Sequence, residues 1–128
     1  MNFSRIKNIS LSLLIVFIVS SCYYNEELPV EPEIEIGEVS FSGKIIPIFN
    51  QTCNSSSCHG GGVNPNLSST NAYRSLIDGN YINLSYPEQS ELYLWMTGNK
   101  KLPMPVSGPN PTNNAYVLEW IKQGAINN

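Results

Sequence analysis

Two cysteines and a histidine lie close together in a short polar segment in the middle of the chain. Cys53 and Cys58 are separated by the four residues 54–57, and His59 follows Cys58 directly. The spacer reads Asn-Ser-Ser-Ser, which is short, polar and tolerant of turn geometry, so the chain is expected to bulge outward between the two thiols. His59 is the only histidine of the sequence, so a site that needs two histidines from one copy is excluded.

The N-terminus has the features of an export signal. Arg5 and Lys7 precede a short apolar run at residues 9–19, which is followed by Ser20-Ser21-Cys22. The run is too short for a transmembrane helix and is typical of a signal peptide. Its end resembles a bacterial lipobox, in which the cysteine is diacylated before cleavage. We therefore predict a lipoprotein signal peptide at residues 1–21 and a lipid on Cys22; the alternative is an ordinary secretory signal with an incidental cysteine.

Residues 22–39 are predicted to form an acidic, disordered tether. The segment contains six glutamates and two prolines, and it has few aromatic residues. Once residues 1–21 are removed, five Lys and Arg remain against ten Asp and Glu, a net charge of −5. Nothing in this charge pattern indicates nucleic-acid binding.

Residues 40–128 are predicted to form one all-α domain with about four short helices. Ser42 is the predicted N-cap of the first helix, whose apolar face carries Ile45, Ile48, Phe49 and Thr52 at helical spacing. The other helices are predicted at residues 71–78, 87–97 and from residue 112 or 113 to 123, each followed by a glycine that can end it. No strand alternation or internal repeat is evident.

Three sequence features together resemble a small single-haem cytochrome c domain. Residues 53–59 are similar to the C-x-x-C-H site of covalent haem attachment, with two additional residues between the cysteines. Leu102-Pro103-Met104-Pro105 is similar to the family's methionine loop, and residues 46–49 and 118–125 are similar to its first and last helices. The resemblance covers about residues 39–127. It implies an all-α, cytochrome c-like bundle wrapped around one covalent haem, in which Phe49 contacts Trp120 or Ile121.

The resemblance also implies the roles of the site residues. Cys53 and Cys58 would form thioethers with the haem vinyl groups, and His59 would be the proximal ligand of the iron. The alternative for the two cysteines is a structural disulfide between them. A zinc site is disfavoured, because two cysteines and one histidine have no clear fourth partner in this sequence.

Met104 is the predicted distal ligand of the haem iron. It lies between Pro103 and Pro105, which hold the backbone in an extended, pre-ordered geometry suited to presenting a thioether. Met96 is the rival, although a methionine inside an apolar helix more often fills a core. Seven further apolar or aromatic residues are candidates for the wall of a haem site, and an ordinary position in the core is an equally good interpretation of each: Tyr73, Leu76, Ile77, Tyr81, Leu92, Trp95 and Leu102. Lys100 and Lys101 are expected to be a solvated surface pair; the alternative is that they pair with a haem propionate or with the acidic rim of a partner protein.

These features predict a lipid-anchored electron-transfer protein with one haem c and His/Met ligation. It would meet other redox proteins by transient contact, be held at a membrane through Cys22, and reside on the periplasmic side or at the outer membrane or cell surface. An iron with both a histidine and a methionine ligand has no vacant position for oxygen or peroxide, so the resemblance favours electron transfer over catalysis, and no small-molecule substrate is indicated. The glycines at residues 60–62 are not predicted to bind phosphate, because no Lys-Ser/Thr pair follows them. The alternatives are a haem-based sensor or enzyme with an open distal site, and a haem-free binding module with a Cys53–Cys58 disulfide.

Overall fold

The computed structural model describes residues 36–100 and 102–128. The predicted signal peptide, Cys22 and the tether as far as residue 35 lie outside the described residues, as does Lys101. Within the described part the α-helices are α1 (Ile46–Thr52), α2 (Ala72–Asp78), α3 (Glu91–Met96) and α4 (Pro111–Lys122). A π-helical turn, Phe41–Ile45, leads into α1, and a 3₁₀ turn, Pro87–Gln89, precedes α3. The described residues contain no strand, so the all-α prediction is confirmed. No helix among them is long and apolar enough to cross a membrane.

The first helical segment begins two residues earlier than Ser42, the predicted cap. Ser40 is the N-cap, and its hydroxyl accepts a hydrogen bond from the Gly43 amide at 3.0 Å. The chain then makes the π-helical turn and continues directly into α1, in which Pro47 is the second residue. Ile48 and Phe49 are buried as the periodicity predicts, whereas Thr52 is exposed.

The predicted helix at residues 87–97 is interrupted. Ser90 has an extended ψ of 131° between the 3₁₀ turn and α3, so the two pieces are separate elements. The Ser90 side chain is fully buried, and its hydroxyl accepts a hydrogen bond from the Asn83 amide at 2.9 Å. The break in the predicted helix thus coincides with a buried serine that binds a backbone amide seven residues earlier.

The other two helices agree with their predicted positions to within about one residue. α2 ends at Asp78 with Gly79 as C-cap. α4 begins at Pro111, because the Asn110 side chain caps it by accepting a hydrogen bond from the Asn113 amide at 2.9 Å. After α4, Gly124 adopts a φ of +97°, a conformation that glycine tolerates and that turns the chain out of the helix.

One apolar core holds these elements together. Its fully buried members include Ile45, Phe49, Leu76, Val117, Trp120 and Ile121. The Phe41 ring lies 5.1 Å from the Trp120 ring and 5.3 Å from the Tyr73 ring, so the π-helical turn packs against α4. Phe49 belongs to the same buried cluster as Trp120, and Phe41 supplies an aromatic contact that the sequence did not suggest. The start and the end of the domain are thus joined through this core.

Candidate functional site

The cysteine segment leaves the end of α1 as a compact loop. Cys53 caps α1, with its amide donating to the Phe49 carbonyl at 2.9 Å. The His59 amide donates to the Cys53 carbonyl at 3.1 Å, and the Cys58 amide donates to Ser55 at 2.9 Å. These bonds fold the four-residue spacer back on itself, which brings His59 next to Cys53 in spite of the longer spacing.

Gly60 is required by the packing of this loop. A Cβ at residue 60 would lie 2.5 Å from the Asn54 carbonyl oxygen and 2.8 Å from that of Ser55, closer than real contacts allow. The Gly60 amide also donates to the Ser55 carbonyl at 3.0 Å. A glycine is therefore needed at residue 60 because the backbone of the four-residue spacer packs directly against it.

The two thiols have different surroundings. Cys53 is half-buried, and its burial raises the pKa of its thiol. Cys58 is exposed, and hydrogen bonds from the Ser55 and Ser57 side chains lower the pKa of its thiol. Both are free thiols in the structure. The spacer serines thus do more than form a turn, because they also favour the thiolate of Cys58.

The imidazole of His59 is oriented by a backbone carbonyl. Its Nδ1 lies 2.9 Å from the carbonyl oxygen of Pro65, a buried residue. A carbonyl only accepts hydrogen bonds, so Nδ1 carries the proton in this pair and the neutral ring keeps its lone pair on Nε2. The Leu67 amide donates to the His59 carbonyl at 2.7 Å, so the backbone of His59 is fixed as well. Histidines that bind metals typically have such a hydrogen-bond partner on the ring nitrogen that does not bind the metal.

All four predicted haem-binding residues line one cavity. Cys53, Cys58, His59 and Met104 lie around a space of about 500 Å³. This volume is within the usual range of ~300–1,000 Å³ for small-molecule and cofactor sites. The apolar side chains that line the same space include Val63, Pro65, Leu67, Leu92, Met96 and Val106. The cavity therefore combines a largely apolar wall with two thiols, one imidazole and thioether sulfurs.

Both candidate distal ligands are at the cavity, in different settings. Met104 is half-buried, and its amide donates to the Trp95 carbonyl at 3.0 Å. Met96 is only 4% exposed and is the last residue of α3, where its carbonyl accepts a hydrogen bond from the Asn114 side chain at 3.2 Å. Met96 is part of the core, whereas Met104 lies on a loop after it.

The predicted wall residues divide into two groups. Tyr81, Leu92 and Trp95 line the cavity. The others do not: Leu76 is buried in the core, Tyr73 packs on Phe41, and Ile77 and Leu102 are exposed. Sequence periodicity could not separate these two groups, since both kinds of position are apolar.

Glu91 also lines the cavity, and the sequence did not single it out. Its carboxylate accepts a hydrogen bond from the Trp95 indole at 2.9 Å and pairs with the Lys100 ammonium at 3.0 Å. Lys100 is thus paired within the protein, contrary to the expectation of a solvated side chain. The hydrogen bond from Lys100 lowers the pKa of Glu91, so this residue is a carboxylate at neutral pH.

Within residues 36–100 and 102–128, no three His, Cys, Asp or Glu side chains form a group that could hold a bare metal ion. Comparisons of the chain with protein-family models, with curated proteins and with solved structures find no match. The function has to be argued from the residues around the cavity.

Proposed function

We propose that this chain is an exported, lipid-anchored electron-transfer protein that carries one covalently bound haem c in a cytochrome c-like helical domain. The observation that supports this most directly is the gathering of Cys53, Cys58, His59 and Met104 around one apolar cavity. These residues come from the end of α1, the following loop and the loop after α3, so no single stretch of helix explains their proximity.

The residues present suit a haem. Cys53 and Cys58 are free thiols at the rim of the cavity, as thioether formation requires. The Pro65 carbonyl holds the proton of the His59 ring on Nδ1. The lone pair of Nε2 is then available to bind an iron. Leu67, Leu92 and other apolar side chains give the cavity a largely apolar wall, which a macrocycle needs.

A haem bound here would supply an iron centre that exchanges one electron. His59 and Met104 would be its axial ligands, and a thioether opposite an imidazole raises the reduction potential relative to two imidazoles. If His59 and Met104 both bound the iron, oxygen and peroxide would have no open position on it. The residues therefore favour electron transfer over catalysis or sensing.

The direct test is whether haem survives denaturation. The full chain is expressed with a c-type maturation system, separated on a denaturing gel and stained for haem. Haem retained by the wild type and lost in the Cys53→Ala/Cys58→Ala variant is the expected result. A haem-free wild type, in cells that mature a known cytochrome c, would reject the proposal and favour a binding module with a Cys53–Cys58 disulfide.

Carbon monoxide separates the two haem-containing alternatives. Reduced protein whose iron is held by His59 and Met104 is expected not to bind carbon monoxide at neutral pH. Rapid binding by the wild type would instead indicate a sensor or enzyme with an open distal position.

A further inference from the structure

Two polar contacts join α3 to the loop that follows it and carries Met104, one at Lys100 and one at Met104. The Glu91 carboxylate uses one oxygen for the Trp95 indole at 2.9 Å and the other for the Lys100 ammonium at 3.0 Å. The Trp95 carbonyl accepts the Met104 amide at 3.0 Å. The loop is thus fastened at Lys100, close after α3, and again at Met104, the predicted ligand.

The sequence around Met104 leaves little else to hold its backbone. Pro103 and Pro105 have no N–H, so Met104 has the sole backbone donor of residues 103–105. That donor goes to Trp95. The chain reaches this point because Gly98 has a φ of +77°, and the space where its Cβ would be is 3.4 Å from Pro109 and 3.7 Å from Pro103. The position of Met104 therefore depends on Trp95.

The Trp95 side chain is held separately from its carbonyl, by Glu91. Its indole is half-buried at the cavity, and its N–H has the Glu91 carboxylate as partner. Both residues are on α3 and four positions apart, so they lie on one face of the helix. Met96 has a different support, because the Asn114 side chain on α4 binds its carbonyl.

We propose that Glu91 is a positioning residue for Met104: it ties Lys100, at the start of the loop that carries Met104, to α3 and fixes the Trp95 side chain in the cavity wall, and this keeps the Met104 thioether at the cavity as the distal ligand. This inference rests on the proposed function, in which Met104 binds the haem iron. Its consequence is that loss of Glu91 releases the ligand loop, although Glu91 itself is not a ligand.

The experiment compares wild type, Glu91→Ala and Glu91→Gln as mature, haem-loaded proteins. Glu88→Gln is the matched control, since Glu88 pairs with Lys122 at 3.4 Å and lies next to α3 but does not line the cavity. Three quantities are measured: hydrogen exchange of the Met104 amide, the near-infrared sulfur-to-iron band of the oxidised protein, and carbon monoxide binding by the reduced protein.

In Glu91→Ala the Met104 amide is expected to exchange roughly 5- to 10-fold faster, as the loss of about one net hydrogen bond implies. The sulfur-to-iron band weakens and carbon monoxide binds, while covalent haem is retained. Glu91→Gln keeps an oxygen for the Trp95 indole but loses the charge. Its values of all three measured quantities are expected to lie between those of Glu91→Ala and the wild type. Glu88→Gln resembles the wild type.

A purely structural role for Glu91 gives a different result. The melting temperature of Glu91→Ala then falls, but at a temperature where the variant is folded its sulfur-to-iron band and carbon monoxide binding match the wild type; that result overturns the inference. Failure of the proposed function is recognised separately, because it appears as a wild type without haem before any Glu91 variant is compared.

Discussion

The Nδ1 atom of His59 lies 2.9 Å from the carbonyl oxygen of Pro65, six positions further along the chain. This contact fixes the tautomer and the plane of the only histidine in the sequence without any help from an iron. The ring is therefore ready to present Nε2 to the cavity. This orientation is the one that iron ligation through Nε2 would need.

Replacing Met104 with alanine is expected to keep the haem attached and to open the iron. The thioethers at Cys53 and Cys58 do not involve Met104, whereas the distal position loses its sulfur. The reduction potential should fall by an amount on the order of 0.1 V, a fraction of the range that axial ligands set. Potentiometry and carbon monoxide binding measure both effects.

Met96→Leu is the matched control for this prediction. Met96 lines the same cavity but is a buried core residue at the end of α3. A change of similar volume there costs less than ~1.5 kcal/mol of unfolding free energy and leaves ligation intact. If instead Met96→Leu binds carbon monoxide and Met104→Ala does not, Met96 is the ligand.

Gly60→Ala should destabilise the domain and reduce haem attachment. The added methyl group meets the Asn54 and Ser55 carbonyl oxygens at less than 3.0 Å, so the spacer must move. Such overpacking typically costs about 1–3 kcal/mol, which urea unfolding of the haem-free protein would measure.

Gly62→Ala provides the comparison for Gly60→Ala. A Cβ at residue 62 would be 3.4 Å from the Ser56 carbonyl oxygen, an ordinary contact. Its unfolding free energy is expected to stay within ~0.5 kcal/mol of the wild type. Equal destabilisation by both variants would contradict the close packing of Gly60 on the spacer.

The regular parts of this fold were predictable and the cap and the interruption were not. The helical spacing of Ile45, Ile48 and Phe49 predicts only that these side chains are buried on one face, and all three are buried. The N-cap is Ser40 and not the predicted Ser42, because a π-helical turn precedes α1. At the break, the Ser90 hydroxyl accepts a hydrogen bond from the Asn83 amide, which the helical periodicity of the segment does not reveal.

The site shows the same limit. Cys53, Cys58, His59 and Met104 could be chosen because their residue types and spacing carry the chemistry, and they do line one cavity. The sequence could not predict that Glu91 lies at the cavity and pairs with Lys100, because that pairing depends on the turn of the chain at Gly98. Supporting contacts of this kind depend on the folded path of the chain and not on local sequence.

Cys22→Ala should release the protein from the membrane. Since the sequence predicts that Cys22 is the site of the lipid, its loss removes the anchor and leaves haem attachment unaffected. Membrane fractionation and metabolic labelling with a radioactive fatty acid measure this. A wild type that carries no label and is recovered without membranes would show that the export signal is an ordinary secretory one.

The two thiols of the haem-free protein should react in a fixed order. Cys58 is exposed and Cys53 is half-buried, so a limiting amount of iodoacetamide is expected to modify Cys58 first. The directions of their pKa shifts agree with this order, since Cys58 forms its thiolate at lower pH than Cys53. Peptide mass spectrometry after short reaction times measures the ratio of the two products.

The same experiment distinguishes the haem site from a disulfide. If haem-free protein that was exported without reductant shows two thiols that react in the expected order, the cysteines are available for attachment. If neither reacts until a reductant is added, Cys53 and Cys58 are joined to each other. Retention of that disulfide in cells that mature a known cytochrome c would leave no thiol for a haem, and the haem-free binding module would then be the better explanation of this chain.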